Sequence, residues 1–325
     1  MSAPSGKTGC RLWFRRAFRV FGALFLLCLL AAGALTLYLN PDCERENGVV
    51  YGQRDGRDLT FDLVRPKRPN GLGVLLMVSG SWKSKPSSFG VWMAAPLLRS
   101  GYTVFAVSHV SQPHAAVQDT VRDVNRAVRF IRFHAADYGI DPDRIGVTGG
   151  SSGGHLCLML ATRGGPGPPD APDPVDRESS AVQAVAVFFP VSNLVDLGAS
   201  RENAHDGGPP KSFRKAFGPN GADREKWRSI GGEISPVLHV HAGQPPVLSI
   251  HGDADTLVPL EQSEWFRDAS AKAGAPEVKI VVRRGKNHGW LTLPLDVRLF
   301  ARWFDAHLKN AKPPPRSPGG GGSNV

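Results

Sequence analysis

Between about residues 48 and 310 the chain alternates short β-branched runs with longer stretches whose apolar residues recur every three or four positions. The short runs read as strands and the longer ones as helices packed over them, so the alternation predicts an α/β fold with a mostly parallel central sheet. VVYG at 49–52 and LTFDLV at 59–64, joined through Arg54-Asp55-Gly56, predict an antiparallel hairpin at one edge of the sheet. Further strands are predicted at 73–78, 103–108, 144–149, 184–190, 245–252 and 278–284, and helices at 89–100, 117–138, 152–163, 260–273 and 295–309. The 117–138 helix has the clearest pattern. Val117, Val121, Val124, Val128, Ile131, Ala135 and Tyr138 make one apolar face, Asp119, Arg122, Arg126 and Arg129 turn away from it, and Gly139 stops it. Residues 192–236 are irregular and polar, too long for a plain connection, and are expected to form a lid or binding excursion. The Pro/Gly-dense loop at 164–174 is expected to help shape the same pocket, and no internal repeat is apparent.

Residues 20–39, VFGALFLLCLLAAGALTLYL, carry no charge. As a helix rising about 1.5 Å per residue, that run spans about 30 Å, the thickness of a bilayer's hydrocarbon. Arg11, Arg15, Arg16 and Arg19 stand before it, while Asp42, Glu44 and Glu46 follow among fewer bases. The positive-inside rule then predicts a cytoplasmic stub at 1–19, a transmembrane helix at 20–39 and the rest across the membrane. The alternative is a signal segment cleaved near Ala32-Gly33-Ala34, giving a secreted protein, although the apolar run continues through Leu35, Leu37 and Leu39. Residues 40–310 are expected to be one catalytic-sized domain and 311–325, rich in Pro, Gly and Ser, a disordered tail.

The chain holds 325 residues, 41% of them hydrophobic, and 4 Cys, which excludes a disordered protein and a disulfide scaffold. Its 39 Lys plus Arg against 29 Asp plus Glu give +10. Seven of those bases (Lys7, Arg11, Arg15, Arg16, Arg19, Lys312 and Arg316) lie in the two ends with no acid, leaving 32 against 29, or +3, for the middle. The charge therefore belongs to the ends, and no nucleic-acid partner is expected.

At 149–155 the chain reads Gly149-Gly150-Ser151-Ser152-Gly153-Gly154-His155, between a predicted strand and a predicted helix. A nucleophilic serine needs a tight turn that lifts its Oγ clear of the sheet, with small neighbours so that the backbone can bend, and G-x-S-x-G supplies both. Two registers match, on Ser151 and on Ser152. Ser151 is preferred because Gly149 ends the strand directly. His251-Gly252-Asp253-Ala254-Asp255 follows the seventh strand-like run and Asn287-His288-Gly289 the eighth, so Ser, Asp and His stand in order at strand ends. A histidine there can take the serine proton while a carboxylate fixes its tautomer. Asp255 is better placed for this than Asp253, which suits holding the turn. The oxyanion needs two donors, expected from the N–H of Ser152 and from Gly80 or Ser81 in the loop after the third strand. Trp82 in that loop is expected either to wall the substrate pocket or simply to pack. His155 is expected to pack or support the serine turn. His239 and His241 form an H-x-H without an obvious third ligand, so neither metal nor cofactor is expected.

With these residues in hand, the chain resembles α/β-hydrolases of the esterase/lipase group, close to hormone-sensitive-lipase-like and feruloyl or acetyl-xylan esterase-like enzymes. The resemblance runs from about Gly73 to Leu308 and rests on GIDPDRIGVTGGSSGGHL at 139–156 and PPVLSIHGDADTLVPLEQS at 245–263. It implies an α/β-hydrolase fold with Ser151 as nucleophile, Asp255 as acid and His288 as base. The family's H-G-G-G-W is only partly kept in Ser79-Gly80-Ser81-Trp82, and Ser152 stands where the family has Ala. The expected function is a membrane-anchored serine hydrolase of small-molecule or carbohydrate carboxylic esters, working through an acyl-enzyme. The rivals are a serine peptidase of prolyl-oligopeptidase type and an inactive hydrolase fold used for binding.

Overall fold

A computed structural model describes residues 7–309, and the tail expected at 311–325 lies outside the described residues. The first helix, α1 (Lys7–Leu39), runs beyond the expected 20–39 span at its N-terminal end, and its apolar part, Phe18–Leu39, is unburied. There follow β1 (Cys43–Arg54), β2 (Arg57–Pro66), β3 (Gly73–Met77), a 3-10 turn at Val91–Met93, α2 (Ala95–Arg99), β4 (Thr103–Val107), α3 (Val117–Phe133) and α4 (Ala135–Tyr138). The chain continues through β5 (Ile145–Gly150), α5 (Ser152–Arg163), α6 (Pro174–Arg177), β6 (Ala184–Phe188), α7 (Arg224–Glu233), β7 (Val247–Gly252), α8 (Glu261–Lys272), β8 (Val278–Arg283) and α9 (Leu293–Phe304).

Among the described residues the strands form one eight-stranded sheet in the order β1-β2-β4-β3-β5-β6-β7-β8. The β1–β2 hairpin is antiparallel and joins β4 antiparallel, whereas every pairing from β4 through β3 to β8 is parallel. Alternation along β3 shows how the sheet is covered. Val74 and Leu76 pack with Leu97, Phe300 and Phe304 of α2 and α9 on one face, and Leu75 and Met77 pack with Val128, Ile131 and Leu156 of α3 and α5 on the other.

Two predicted helices differ from expectation. The 89–100 helix shrinks to α2 because Pro96, lacking an N–H, fits only a first helical turn, and the residues before it form the separate 91–93 turn. The 117–138 helix is interrupted at His134, and Gly139 closes its second piece with φ 65°. The 192–236 excursion contains α7, whose Trp227 is buried with Trp82, Phe217 and Ile234 in a third apolar cluster. Its base is pinned to the domain by Gln262, whose side-chain oxygen accepts from the N–H groups of Ser192 at 3.0 Å and Asn193 at 2.8 Å.

Candidate active site

The parallel strands β5, β7 and β8 end on the same side of the sheet, so the loops leaving them converge. Ser151 sits in the one-residue gap between β5 and α5 with φ 55° and ψ −120°, a left-handed conformation that a non-glycine residue adopts only when its surroundings impose it. Its N–H donates to the Phe188 carbonyl at 3.0 Å. The turn is tight enough that a Cβ on Gly149 would stand 2.7 Å from the backbone carbon of Gly153, so glycine is required there.

The Ser151 Oγ lies 2.9 Å from His288 Nε2, and His288 Nδ1 lies 2.7 Å from Asp255 Oδ2. The other carboxylate oxygen of Asp255 accepts from the N–H groups of Leu257 at 2.9 Å and Val258 at 3.0 Å. Burial opposes ionisation of Asp255. Contact with His251, 3.7 Å away, the bond to His288 and the Val258 N–H together outweigh burial and hold its carboxyl well below the usual carboxylate range. Asp253 instead accepts from the Gly285 N–H at 2.6 Å, holding the turn that carries the histidine loop. That loop passes so close to the end of β7 that a Cβ on Gly252 would overlap the Lys286 carbonyl oxygen and reach 2.9 Å from that of Asn287. Phe189, with ring centroids 4.4 Å apart, packs on the His288 imidazole.

The competing register places Ser152 differently. Its side chain is buried and its Oγ lies 3.1 Å from Ser79 Oγ, away from His288. Ser152 is the first residue of α5, so its N–H has no acceptor within the helix. In the facing loop the N–H of Gly80 donates to the Lys83 carbonyl at 2.9 Å, and Lys83 returns the same bond. The N–H of Ser81 has no acceptor among the described residues. Ser81 and Trp82 both have φ 54°, and this pair of left-handed residues reverses the loop. Of the two expected donors, only Ser81 therefore keeps its N–H available.

Trp82 is buried and its indole N–H donates to His155 Nδ1 at 3.2 Å. It also lines a small recess of about 40 Å³ beside Ser151, together with Val191, Leu197 and Phe213. On the other side of Ser151 a cavity of about 660 Å³ runs past His288, Trp92, Met93, Leu97 and Val297. His155 Nε2 faces the Ile234 carbonyl at 2.7 Å, so it carries the proton and leaves Nδ1 to accept from Trp82. Burial pushes its pKa down to about 4, against the opposing bond to Ile234.

His109, which no motif in the sequence marks, also belongs to the site. Its Nε2 lies 3.0 Å from Ser79 Oγ and its Nδ1 2.9 Å from the Val110 carbonyl, and burial lowers its pKa to about 4. With Nδ1 donating to the carbonyl, Nε2 accepts from Ser79, which in turn accepts from Ser152. One directed chain of hydrogen bonds thus joins the serine turn to the facing loop. No local signal marks it, because Ser79 and His109 are thirty positions apart. His239 Nε2 faces the Gly232 and Glu233 carbonyls, and no cluster of three metal-type side chains occurs among the described residues.

Residues 61–269 match the BD-FAE family model. Over 257 residues, covering 74% of this chain, the sequence is 29% identical to the protein named Esterase LipQ of Mycobacterium tuberculosis. The match spans 56% of that relative, so the chain corresponds to about half its length. Among solved structures, a truncated carbohydrate esterase from gut microbiota superposes with a TM-score of 0.66 at 25% identity, covering 81% of this chain and 96% of that one. Esterase 2 of Thermogutta terrifontis, solved phosphoramylated by tabun, superposes with a TM-score of 0.62 at 27% identity, covering 82% and 94%.

Proposed function

The chain belongs to the BD-FAE family of α/β-hydrolase esterases, and from that membership we propose that it hydrolyses carboxylic esters through Ser151, His288 and Asp255. The observation that carries this reading is the unbroken line from Asp255 through His288 to Ser151, with contacts of 2.7 Å and 2.9 Å. Ser151 Oγ attacks the ester carbonyl carbon while His288 Nε2 takes its proton, and Asp255 holds the imidazole and stabilises the resulting imidazolium. The carbonyl oxygen becomes an oxyanion facing the free N–H groups of Ser152 and Ser81. Collapse expels the alcohol, which leaves with the proton from His288, and Ser151 keeps the acyl group. Water, deprotonated by His288, then attacks the acyl-enzyme and releases the acid.

The domain carrying this chemistry is the single α/β unit at 40–310, with the cytoplasmic stub and the α1 span anchoring it as a single-pass protein whose catalytic part lies outside. Retention of the full chain in membranes after carbonate washing, with protease access to the catalytic domain from outside, tests that topology. A released, shortened chain refutes it.

The catalytic reading is tested by turnover of p-nitrophenyl acetate and butyrate, together with labelling by a fluorophosphonate. Turnover and labelling are expected in the parent protein, and both are lost in Ser151→Ala. A Ser151→Ala protein that hydrolyses as well as its parent overturns the assignment.

A further inference from the structure

The large cavity beside Ser151 is walled by the same two short elements that hold the end of α1. Trp92 and Met93 of the 91–93 turn and Leu97 of α2 line it, and both elements touch α1. Arg99, the last residue of α2, donates from Nε to the Tyr38 carbonyl at 2.7 Å and from Nη2 to the Leu37 carbonyl at 2.5 Å. Its guanidinium also lies over the Tyr38 ring, 5.0 Å from the centroid. These carbonyls belong to the last turn of α1, where the helix has no donors of its own, so one cation caps the helix and ties it to the cavity wall.

The exposed residues lining the cavity mark where it opens. They include Lys83, Lys85 and Trp92, and Trp92 is the one on the turn that touches α1. Just before α9, Leu291 is 97% exposed, two residues ahead of Leu293, which lines the cavity. A tryptophan on the turn that touches a membrane-length helix, two lysines lining the same cavity and an exposed leucine two residues from that lining are residue types that settle at a lipid headgroup layer. The cavity volume of about 660 Å³ falls within the range of about 300–1,000 Å³ usual for small-molecule sites and is lined mostly by apolar side chains, whereas the recess on the other side of Ser151 holds only about 40 Å³.

Resting on the esterase reading above, we propose that this site is loaded from the bilayer. Its substrates are amphiphilic esters with one long hydrocarbon arm and one small group, drawn from the leaflet into which α1 emerges. The long arm occupies the large cavity, the small group sits in the recess, and the ester carbonyl lies between them at Ser151. The α1–Arg99 contact fixes the height of the cavity mouth above the membrane, so capture needs no passage of the apolar arm through water.

The test uses the full chain in phosphatidylcholine vesicles. Hexadecyl acetate and methyl palmitate are offered either in the enzyme's own vesicles or in separate ones, with soluble p-nitrophenyl acetate as reference. At least one of the two long esters is expected to be cleaved at least tenfold faster from the enzyme's own vesicles. Arg99→Ala, which loosens the helix from the domain, lowers the own-vesicle rate about fivefold and leaves p-nitrophenyl acetate turnover within twofold. Val297→Trp, and separately Met93→Trp, lower the ratio of long-ester to acetate turnover at least tenfold. Equal rates from own and separate vesicles for both esters, or an unchanged ratio in a folded cavity variant, overturns the proposal. Absence of acetate turnover in the parent enzyme instead overturns the esterase reading on which it rests.

Discussion

His155 joins three parts of the site at once: it stands on α5 just after Ser151, accepts from Trp82 in the facing loop, and donates to Ile234 at the end of the 192–236 excursion. Burial lowers its pKa from 6.5 to about 4, so on acidification the unfolded chain takes up this proton before the folded one does. The stabilisation from keeping His155 neutral is complete above pH 6.5, drains away between 6.5 and 4, and levels off below. A shift from 6.5 to about 4, at about 1.4 kcal/mol per unit, amounts to about 3 kcal/mol over the whole window and about 2 kcal/mol by pH 5. His155→Gln puts a non-titrating amide in the same space. The variant is expected to be less stable than the parent at pH 7.5, yet to lose about 3 kcal/mol less between pH 7.5 and pH 4. Urea midpoints of the full chain in a non-ionic detergent, taken every half pH unit, give both numbers. A variant that loses as much stability across that window as the parent refutes the buried-neutral assignment.

Other expectations are direct. Gly252→Ala pushes a Cβ into the Lys286 and Asn287 carbonyls and displaces His288, so ester turnover falls at least a hundredfold while fluorophosphonate labelling slows in parallel; normal turnover refutes the close-approach argument. Ser79→Ala leaves His109 Nε2 buried without a donor and costs about 1–3 kcal/mol by urea unfolding. It also frees the serine turn from the facing loop, and kcat for p-nitrophenyl acetate falls about tenfold with KM little changed. Asp255→Asn leaves the fold intact and reduces kcat by about a thousandfold or more, because His288 then holds the wrong tautomer; a loss under tenfold contradicts the role given to Asp255.

The central strands β3 to β7 were readable because they are buried on both faces and bounded by turn residues, as RIGVTG before the glycine turn illustrates. Ser151, Asp255 and His288 were readable as a set because each follows a strand, and parallel strands bring their ends together. What local pattern did not reveal depends on contacts between distant segments. The choice of Ser81 over Gly80 turns on the bond between Gly80 and Lys83, which only the folded loop makes. Trp82 offered two readings from sequence, and in the structure it both packs on His155 and lines the small recess. The excursion takes its shape from Gln262 at its base and from Trp227 against Phe217, neither of which leaves a periodic trace. Pro96 was visible, and its effect on the 89–100 segment followed from a rule that the apolar pattern there obscured.

In the proposed mechanism Ser151 carries the acyl group during turnover. Acid-quenching the enzyme within milliseconds of mixing with a p-nitrophenyl ester, followed by peptide mass mapping, measures this directly. An added acyl mass is expected on the peptide containing Ser151, absent from Ser151→Ala and appearing at the rate of the p-nitrophenol burst. Acylation of Ser152 instead, or turnover with no acylated peptide at any time point, would contradict that mechanism.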